Sequence, residues 1–196
     1  MTDRRHDECH ARAPEAWADD RVFTVEDLED MPDDGFRYEL DDGVLIVSPV
    51  PSNLHQLAVS RLQMVLGAVC PPEFLVLTGP GVNISKFQHR VPDVAVIRAE
   101  AFEEAFLVQP PMVAIEVASP RTRLYDLGRK KEIYERFGIR YYWIVEPAVE
   151  PSLTVFELRR GRYAQAAQVA GRGSLDIARP FPVTIVPDDL VTTGSR

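Results

Sequence analysis

Apolar residues follow two different patterns along this chain. FRYEL and VLIVSP are two strand-type runs on either side of Asp42-Gly43. This pattern predicts a β-hairpin, because glycine accepts the positive φ of a tight turn. The segment LHQLAVSRLQMVLGAV instead repeats apolar residues at spacings of three and four, and it stops before Pro71-Pro72. That spacing predicts the first long helix.

The rest of the chain predicts strands around a second helix. EFLVLT, VPDVAVIR and MVAIEVAS are rich in strand-forming residues, and AEAFEEAF predicts a short helix. The second long helix is LYDLGRKKEIYERF, ended by Gly138, and the next strand is YYWIVEP. SLTVFELRRGRYAQAAQ and FPVTIVP predict a final hairpin, turning at Arg160-Gly161, and edge strands. The fold class is therefore α/β, with an N-terminal hairpin, a sheet flanked by helices and extra C-terminal strands.

Polarity sets the expected limits of the folded part. Residues 1–20 are charged and aperiodic, which predicts a disordered acidic tail, and a short helix capped by Thr24 follows. We expect one domain over residues 21–190 and a flexible end over 191–196. Cys9 and Cys70 are expected to be free thiols. No apolar run suits a membrane span or a signal peptide, so the expected location is the cytoplasm.

The net charge of −8 is unevenly distributed. Residues 1–42 hold 15 acidic and 5 basic residues, whereas the remainder is close to neutral. Residues 121–140 contain seven basic residues against three acidic ones. This segment predicts either a local basic surface or a solvated helix face, and the solvated face is the commoner case. The overall acidity therefore does not exclude nucleic acid as a partner.

Two carboxylates lie at the ends of apolar strands. Glu116 is the only charge in MVAIEVAS, and the two-residue period puts it on one face with Met112, Ala114 and Ala118. A carboxylate there needs a salt bridge or a bound cation, and the strand alone does not distinguish them. Asp93 opens the strand VAVI; taken alone, an aspartate capping a turn is the commoner case. If the two strands are neighbours, the carboxylates could share a hard metal ion.

Lys130 lies on the apolar stripe of the second helix. Its position follows from helical periodicity, with about 100° per residue. A lysine on a packing face either snorkels to water or serves a function, and we favour function. The stripe is formed by Leu127, Ile133, Tyr134 and Phe137.

Other candidates are weaker when taken alone. Glu39 lies on a hairpin strand, where an exposed carboxylate is common, and His55 at the start of the first helix is more readily a packed, hydrogen-bonded histidine. The sequence has no glycine-rich phosphate loop, dinucleotide fingerprint or GxSxG motif. This argues against nucleotide cofactors and serine hydrolase chemistry.

Three segments form a distinctive series: YELDDGVLIVSPVPSNLH, VPDVAVI and AIEVASPRTRLYDLGRKKEIYERFGIRYYWIVEP. Over about residues 24–147 they resemble the Uma-two family of restriction endonucleases, a branch of the PD-(D/E)XK nuclease superfamily. The resemblance implies a restriction-endonuclease-like mixed sheet, an Mg²⁺ or Mn²⁺ cofactor and a nucleic-acid substrate. DNA is favoured over RNA as that substrate. Family analogy alone suggests a homodimer. The implied catalytic residues are Glu39, Asp93, Glu116 and Lys130, with Asp93 and Glu116 as metal ligands and His55, Asp126 and Tyr134 in support.

Ala118 stands where the superfamily motif has its lysine. A lysine at 118 would share the face of Glu116, so the resemblance implies that Lys130 fills the space from the following helix. Three interpretations stay open. The first is a metal-dependent endonuclease. The second is an inactive nuclease-fold module that binds nucleic acid or a protein partner. The third is a hydrolase that uses paired carboxylates on another substrate, such as a glycoside.

Overall fold

The computed structural model describes residues 21–119, 123–148 and 150–193. The strands in these ranges are β1 (Arg37–Asp41), β2 (Val44–Ser48), β3 (Phe74–Thr78), β4 (Val82–Ser85), β5 (Gln88–Arg90), β6 (Val94–Arg98), β7 (Val113–Val117), β8 (Tyr141–Glu146), β9 (Ser152–Arg159), β10 (Arg162–Ala170), β11 (Leu175–Ile177) and β12 (Val183–Ile185). The helices are α1 (Asn53–Val69), α2 (Arg123–Tyr125), a π-helical segment (Asp126–Lys130) and α3 (Lys131–Phe137). We call the continuous helical run 123–137 the second helix.

The strands form three sheets. The largest has the order β10-β9-β8-β7-β6-β3, and within it only β7 and β8 run parallel. A second sheet has the order β2-β1-β5-β4, and β11 pairs with β12. The mixed sheet, the N-terminal hairpin and the extra C-terminal strands predicted from the sequence are therefore present.

The two faces of the large sheet bury different parts of the chain. Val113, Ile115 and Val117 pack in one hydrophobic cluster with residues of α1 and the C-terminal strands. Ala114 and Ala118 pack in another cluster with residues of α3. The predicted strand faces are thus confirmed for residues 113–118, and the face that carries Glu116 is covered by the second helix. The prediction is wrong for Met112, which lies before β7 and packs against the first cluster.

Local signals placed the main elements correctly. Asp42 and Gly43 both have positive φ, 50° and 82°, as a two-residue hairpin turn requires. Ser52 caps α1 by accepting a hydrogen bond from the His55 backbone N–H at 3.4 Å. Gly138 ends the second helix with a φ of 91° in the left-handed region.

The structure departs from the sequence prediction in its short elements. The predicted helix in AEAFEEAF is wrong except for a single 3-10 turn, Ala99–Ala101. Leu107 explains the difference, because it forms a parallel bridge with Val82 that requires extended backbone. Strands β4, β5 and β11 were missed, since runs of three or four residues carry little periodicity.

The N-terminal helix is a 3-10 turn, Glu26–Asp30, in which the Asp27 side chain accepts from the Thr24 backbone N–H at 2.7 Å. The Thr24 side chain is therefore not the predicted N-terminal cap of this turn; instead, the Asp27 side chain binds the Thr24 backbone N–H.

The ends of the chain are only partly described. The predicted tail, residues 1–20 with Cys9, lies outside the described residues, as do residues 194–196. Val191 packs against the core, and the Thr192 backbone N–H donates to the Asp188 carbonyl at 3.0 Å. Cys70 is a half-buried free thiol. In the described part of the chain, no helix is both long and apolar enough to cross a membrane.

Candidate active site

Asp93 and Glu116 lie side by side at one end of the large sheet. Strands β6 and β7 are antiparallel, with Val94 opposite Ile115. Extending this pairing by one residue sets Asp93 opposite Glu116, with both side chains on the same face. The backbone N–H of Val117 donates to Asp93 Oδ2 at 2.8 Å and fixes that carboxylate beside β7. Two buried carboxylates are thus brought together by strand pairing alone.

Lys130 reaches Glu116 from the second helix. Its Nζ lies 2.9 Å from Glu116 Oε2, and the Tyr134 hydroxyl donates to Glu116 Oε1 at 2.8 Å. All three side chains are buried. The lysine predicted on the packing face therefore does not snorkel to water, because its ammonium group is held by a carboxylate inside the protein.

Two further carboxylates face the same ammonium group. Lys130 Nζ is 3.9 Å from Glu39 Oε1 and 3.7 Å from Asp126 Oδ1. Glu39 is itself fixed by the backbone N–H of Val91, which donates to Oε1 at 2.8 Å. Glu39 is accordingly buried rather than exposed on its strand. We call this group the site cluster; it consists of Glu39, Asp93, Glu116, Asp126 and Lys130.

The π-helical segment carries two members of the site cluster. It runs from Asp126 to Lys130, and both end residues are buried. A π-helical turn is wider than an α-helical turn and often occurs at functional sites. The Tyr142 hydroxyl of β8 donates to the Asp126 carbonyl at 3.0 Å, which ties the start of this segment to the sheet. Strict α-helical periodicity is thus interrupted where the lysine enters the site.

Asp93 is held by two more side chains. His55 Nε2 lies 3.1 Å from Oδ2, and Arg37 Nη1 donates to Oδ1 at 2.8 Å. His55 is therefore at the site, as the family resemblance implied, and not in a separate packed environment. Burial favours a higher pKa for Asp93, but the hydrogen bond and charge of His55, with Arg37 and Lys130, outweigh it and lower the pKa to about 2. Asp93 is an anion at neutral pH.

Arg37 is a site residue that the sequence reasoning missed. It lies on β1 two residues before Glu39 and four before Asp41. The two-residue period of a strand puts these three charges on one face. The same alternation that marked Glu39 could therefore have identified Arg37.

The site cluster is short of positive charge. Burial, with the nearby charges of Asp93 and Asp126, raises the pKa of Glu116 to about 8 despite the opposing effect of Lys130. Burial alone would lower the pKa of Lys130, but the surrounding carboxylates raise it above its ordinary value. Lys130 is therefore an ammonium group at neutral pH, and it faces more carboxylates than it can neutralise.

A second ionic group lies next to the site, where the β1–β2 turn meets the second helix. The Arg129 guanidinium donates from Nη2 to Asp41 Oδ1 at 2.7 Å and from Nε to both Asp41 oxygens at 3.1 Å. Asp42 Oδ2 lies 2.5 Å from Arg129 Nη2 and Arg90 Nη2 lies 3.1 Å from Asp41 Oδ2. We call this group the turn cluster; it consists of Asp41, Asp42, Arg90, Tyr125 and Arg129.

The other basic residues of the second helix region also have partners. Arg123 pairs with Glu146, and Lys131 Nζ lies 3.9 Å from the centre of the Phe156 ring. The solvated, ion-paired interpretation therefore describes residues 123–140 better than an open basic surface. Arg121 lies outside the described residues.

Ala118 is buried and belongs to the hydrophobic cluster that contains Ile133 and Tyr134 of the second helix. It also lines a cavity of about 370 Å³ together with Arg123 and Glu146. The lysine that reaches Glu116 comes from the second helix, at Lys130. Among the described residues, no group of three His, Cys, Asp or Glu side chains is arranged so that it could hold a metal ion by itself.

Comparison with known proteins gives a family. Residues 25–188 match the model of the Uma2 family, described as "Putative restriction endonuclease". A crystal structure from Anabaena variabilis, titled a putative nuclease belonging to DUF820, superposes with a TM-score of 0.66 at 16% identity. The match covers 86% of this chain and 97% of that one, and it confirms the predicted restriction-endonuclease-like fold. No curated protein matches the chain. Since the family match spans most of its length, this chain belongs to the Uma2 family of restriction-endonuclease-like proteins.

Proposed function

We propose that this protein is a metal-dependent endonuclease that hydrolyses phosphodiester bonds in nucleic acid, with DNA as the first substrate. The observation that carries the proposal is the buried Lys130–Glu116 pair beside Asp93. It brings together two carboxylates that can serve as hard oxygen ligands and one ammonium group at one end of the large sheet, which is the donor set that phosphodiester hydrolysis needs.

The side chains of the cluster fit a hard divalent cation by their chemistry. Asp93 is ionised, and Glu116 would become so next to a cation, since an opposite charge favours the anion. Mg²⁺ commonly takes only one or two protein carboxylates and completes its shell with waters and substrate phosphates. A set of three side-chain ligands is therefore not required. Mg²⁺ or Mn²⁺ held by Asp93 and Glu116 would neutralise charge on the phosphate and activate a water.

In this proposal Lys130 supplies a positive charge and N–H hydrogen-bond donors. Because its pKa is raised, it cannot serve as a general base at neutral pH. Its N–H groups can orient the attacking water or stabilise the negative charge that develops on the phosphate. Tyr134 and Glu39 hold the lysine and Glu116 in place rather than reacting, since the tyrosine hydroxyl donates to Glu116 and Glu39 faces the ammonium group.

Cleavage of nucleic acid tests the proposal directly. Supercoiled plasmid, a linear DNA duplex and a structured RNA are incubated with the full chain in Mg²⁺, in Mn²⁺ and in EDTA. We expect nicked or linear plasmid with either metal and none in EDTA, and we expect Asp93→Asn and Glu116→Gln to abolish cleavage.

Glu157→Gln is the matched control, because Glu157 pairs with Arg140 and Arg159 at the opposite end of the sheet. Cleavage that survives both Asp93→Asn and Glu116→Gln would overturn the assignment of this site.

A non-catalytic nucleic-acid-binding module is the second candidate. It is favoured by the engagement of both Glu116 oxygens with protein donors and by Ala118 at the position of the superfamily lysine. It predicts that the chain binds DNA or RNA in EDTA and cleaves neither with added metal. The same incubations, followed by equilibrium binding, separate the two candidates.

A further inference from the structure

Arg37 contacts the site from its exposed side. Its Nη1 donates to Asp93 Oδ1 at 2.8 Å and to the Val91 carbonyl at 3.3 Å. The Arg37 side chain is 29% exposed, whereas the Asp93 side chain is 3% exposed. The guanidinium group therefore lies between the buried carboxylate and solvent, where a substrate would approach.

The two oxygens of Asp93 have different partners. Oδ2 accepts from the Val117 backbone N–H at 2.8 Å and lies 3.1 Å from His55 Nε2. Oδ1 has Arg37 as its charged partner. A backbone N–H of a central strand cannot move without breaking the sheet, but a long, partly exposed arginine side chain can. Oδ1 is thus the Asp93 oxygen that is accessible to a cation, and the Arg37 side chain must move away from it for a cation to bind there.

The bonding of Arg37 differs from that of Arg129 in the turn cluster. Arg129 uses both Nε and Nη2 on Asp41, in the forked geometry that suits a carboxylate. Arg37 uses only Nη1, and within the described residues its Nε and Nη2 make no hydrogen bond. Arginine presents five N–H donors in a rigid fork that matches phosphate as well as carboxylate. Arg37 therefore has unused donors at the mouth of the site.

We propose that Arg37 is a substrate-binding residue that releases Asp93 when a divalent cation binds and then holds a phosphate of the nucleic-acid backbone. The inference rests on the proposed function, because the cation and the phosphodiester substrate come from it. In the metal-free protein Arg37 neutralises Asp93. A cation held by Asp93 would repel the guanidinium group, and the fork of Arg37 would then be free to bind the phosphate next to the scissile bond.

Nucleic-acid affinity measured with and without a non-hydrolytic cation tests this exchange. A fluorescein-labelled DNA duplex is titrated with the full chain in EDTA and in Ca²⁺. The variants are Arg37→Gln, Arg37→Lys and the control Arg159→Gln. Arg159 is an exposed arginine paired with Glu157 at the opposite end of the sheet, so its substitution removes the same charge away from the site.

The expected result is an effect of Arg37 that depends on the cation. In Ca²⁺, Arg37→Gln should weaken DNA binding by about tenfold, the scale of one hydrogen bond between charged groups. In EDTA the loss should stay within about twofold, because the guanidinium group is then paired with Asp93. The slope of log affinity against log salt should fall by about 0.9 in Ca²⁺ only. Arg37→Lys should lose less, because it keeps the charge without the fork.

A purely structural ion pair predicts a different pattern. Arg37→Gln would then match Arg159→Gln in Ca²⁺ as well as in EDTA, and that result would overturn the inference. Calorimetric titration with Mn²⁺ gives a second readout: Arg37→Gln should bind the ion more tightly than the wild type, since a competing cation is gone. Unchanged Mn²⁺ affinity would also overturn the inference. Thermal melting shows whether each variant folds, and Arg37→Lys serves if Arg37→Gln does not.

Failure of the proposed function has a distinct signature. A wild-type protein that binds Ca²⁺ and DNA but cleaves nothing refutes the endonuclease, while the Ca²⁺-dependent loss in Arg37→Gln still supports the phosphate contact. A wild-type protein that cleaves, with Arg37→Gln indistinguishable from Arg159→Gln, refutes only the role of Arg37. A wild-type protein that binds neither Ca²⁺ nor Mn²⁺ refutes the exchange.

Discussion

The site cluster and the turn cluster share two elements, but their charge balance differs. Strand β1 supplies Glu39 to the first and Asp41 to the second, and the second helix supplies the neighbouring residues Lys130 and Arg129. In the turn cluster two carboxylates meet two guanidinium groups. In the site cluster three carboxylates lie within 4 Å of one ammonium group, and the fourth, Asp93, pairs with Arg37 at the edge.

This difference separates an ion-paired structural contact from a site that can accept a cation. Burial favours a higher pKa for Asp41, but Arg129 and Arg90 outweigh it and lower the pKa to about 2. The opposite happens to Glu116, whose pKa rises to about 8 through burial and its acidic neighbours. A buried group of anions without enough cations costs folding energy, and such groups are characteristic of functional sites. The following predictions test the contrast.

The largest expected effect comes from replacing, in separate variants, each of the two neighbouring cations of the second helix, Lys130 and Arg129. Lys130→Met should reduce the cleavage rate by on the order of a hundredfold or more, since it removes a positioned charge donor. Arg129→Met should leave the rate within a few-fold of wild type, because in the described part of the chain Arg129 hydrogen-bonds to Asp41 and Asp42 of the turn cluster. Single-turnover kinetics with saturating metal measure both variants. Equal rates for the two would remove the distinction between the clusters.

Folding stability should depend more on the turn cluster than on the site cluster when a carboxylate is replaced by its amide. Asp41→Asn leaves the fully buried Arg90 guanidinium without its anionic partner. The loss should be about 2 kcal/mol in the free energy of unfolding, less than the 3–5 kcal/mol typical of a fully buried pair because Asp41 is partly exposed. Glu116→Gln should change metal-free stability less, because it also removes repulsion from Asp93 and Asp126. Chemical denaturation in EDTA measures both, and a larger loss for Glu116→Gln contradicts the comparison.

Metal affinity should depend on one cluster alone. Glu116→Gln should weaken Mn²⁺ binding by at least about tenfold, or ~1.4 kcal/mol, because the amide keeps the shape of the carboxylate without its charge. Asp41→Asn should bind Mn²⁺ as tightly as wild type under conditions where it is folded. Isothermal titration calorimetry gives both constants. Wild-type affinity in Glu116→Gln would show that this residue is not a ligand.

The last expected effect is on the pH dependence of stability in the metal-free protein. Glu116 has a folded pKa of about 8 against an ordinary 4.5, so its contribution is full below pH 4.5 and is lost as the pH rises to about 8. Asp41 has a folded pKa of about 2 against 3.8, so its contribution is present above pH 3.8 and is lost as the pH falls towards 2.

Denaturant unfolding in EDTA from pH 2 to pH 8 measures both the alkaline and the acid loss of stability. Glu116→Gln should flatten the alkaline side, and Asp41→Asn should flatten part of the acid side, where Asp93 also contributes. A wild-type protein whose stability does not fall between pH 4.5 and 8 would show that Glu116 is not held in an acidic, cation-poor surrounding.

Much of the site was predictable because its members lie on regular elements. The two-residue period put Glu116 on the face opposite Val113, Ile115 and Val117, and the structure confirms this. The helical stripe put Lys130 on the packing face, where it is buried. Neither inference needs more than the local geometry of one element.

Other features of the fold and of the site could not be predicted from the periodicity of apolar residues or from secondary-structure propensity. The π-helical segment interrupts the helical period at Asp126–Lys130, yet it leaves Lys130 on the buried side. The predicted helix in AEAFEEAF gave way to an extended chain because Leu107 pairs with Val82, which lies far from it in sequence. His55 reaches Asp93 from α1 only because the start of that helix lies next to the start of β6.

The sequence by itself determined the long elements, the faces of β7 and of the second helix, and two of the charged side chains that point inward, Glu116 and Lys130. It did so because helix and strand periodicity act over a few residues. Only the tertiary structure decided which of those charges meet. Arg37 and Asp93 lie 56 residues apart, and Asp41 and Arg129 lie 88 apart. No local pattern encodes such contacts; strand pairing and the docking of the second helix create them, and with them the balance of charge that distinguishes the two clusters.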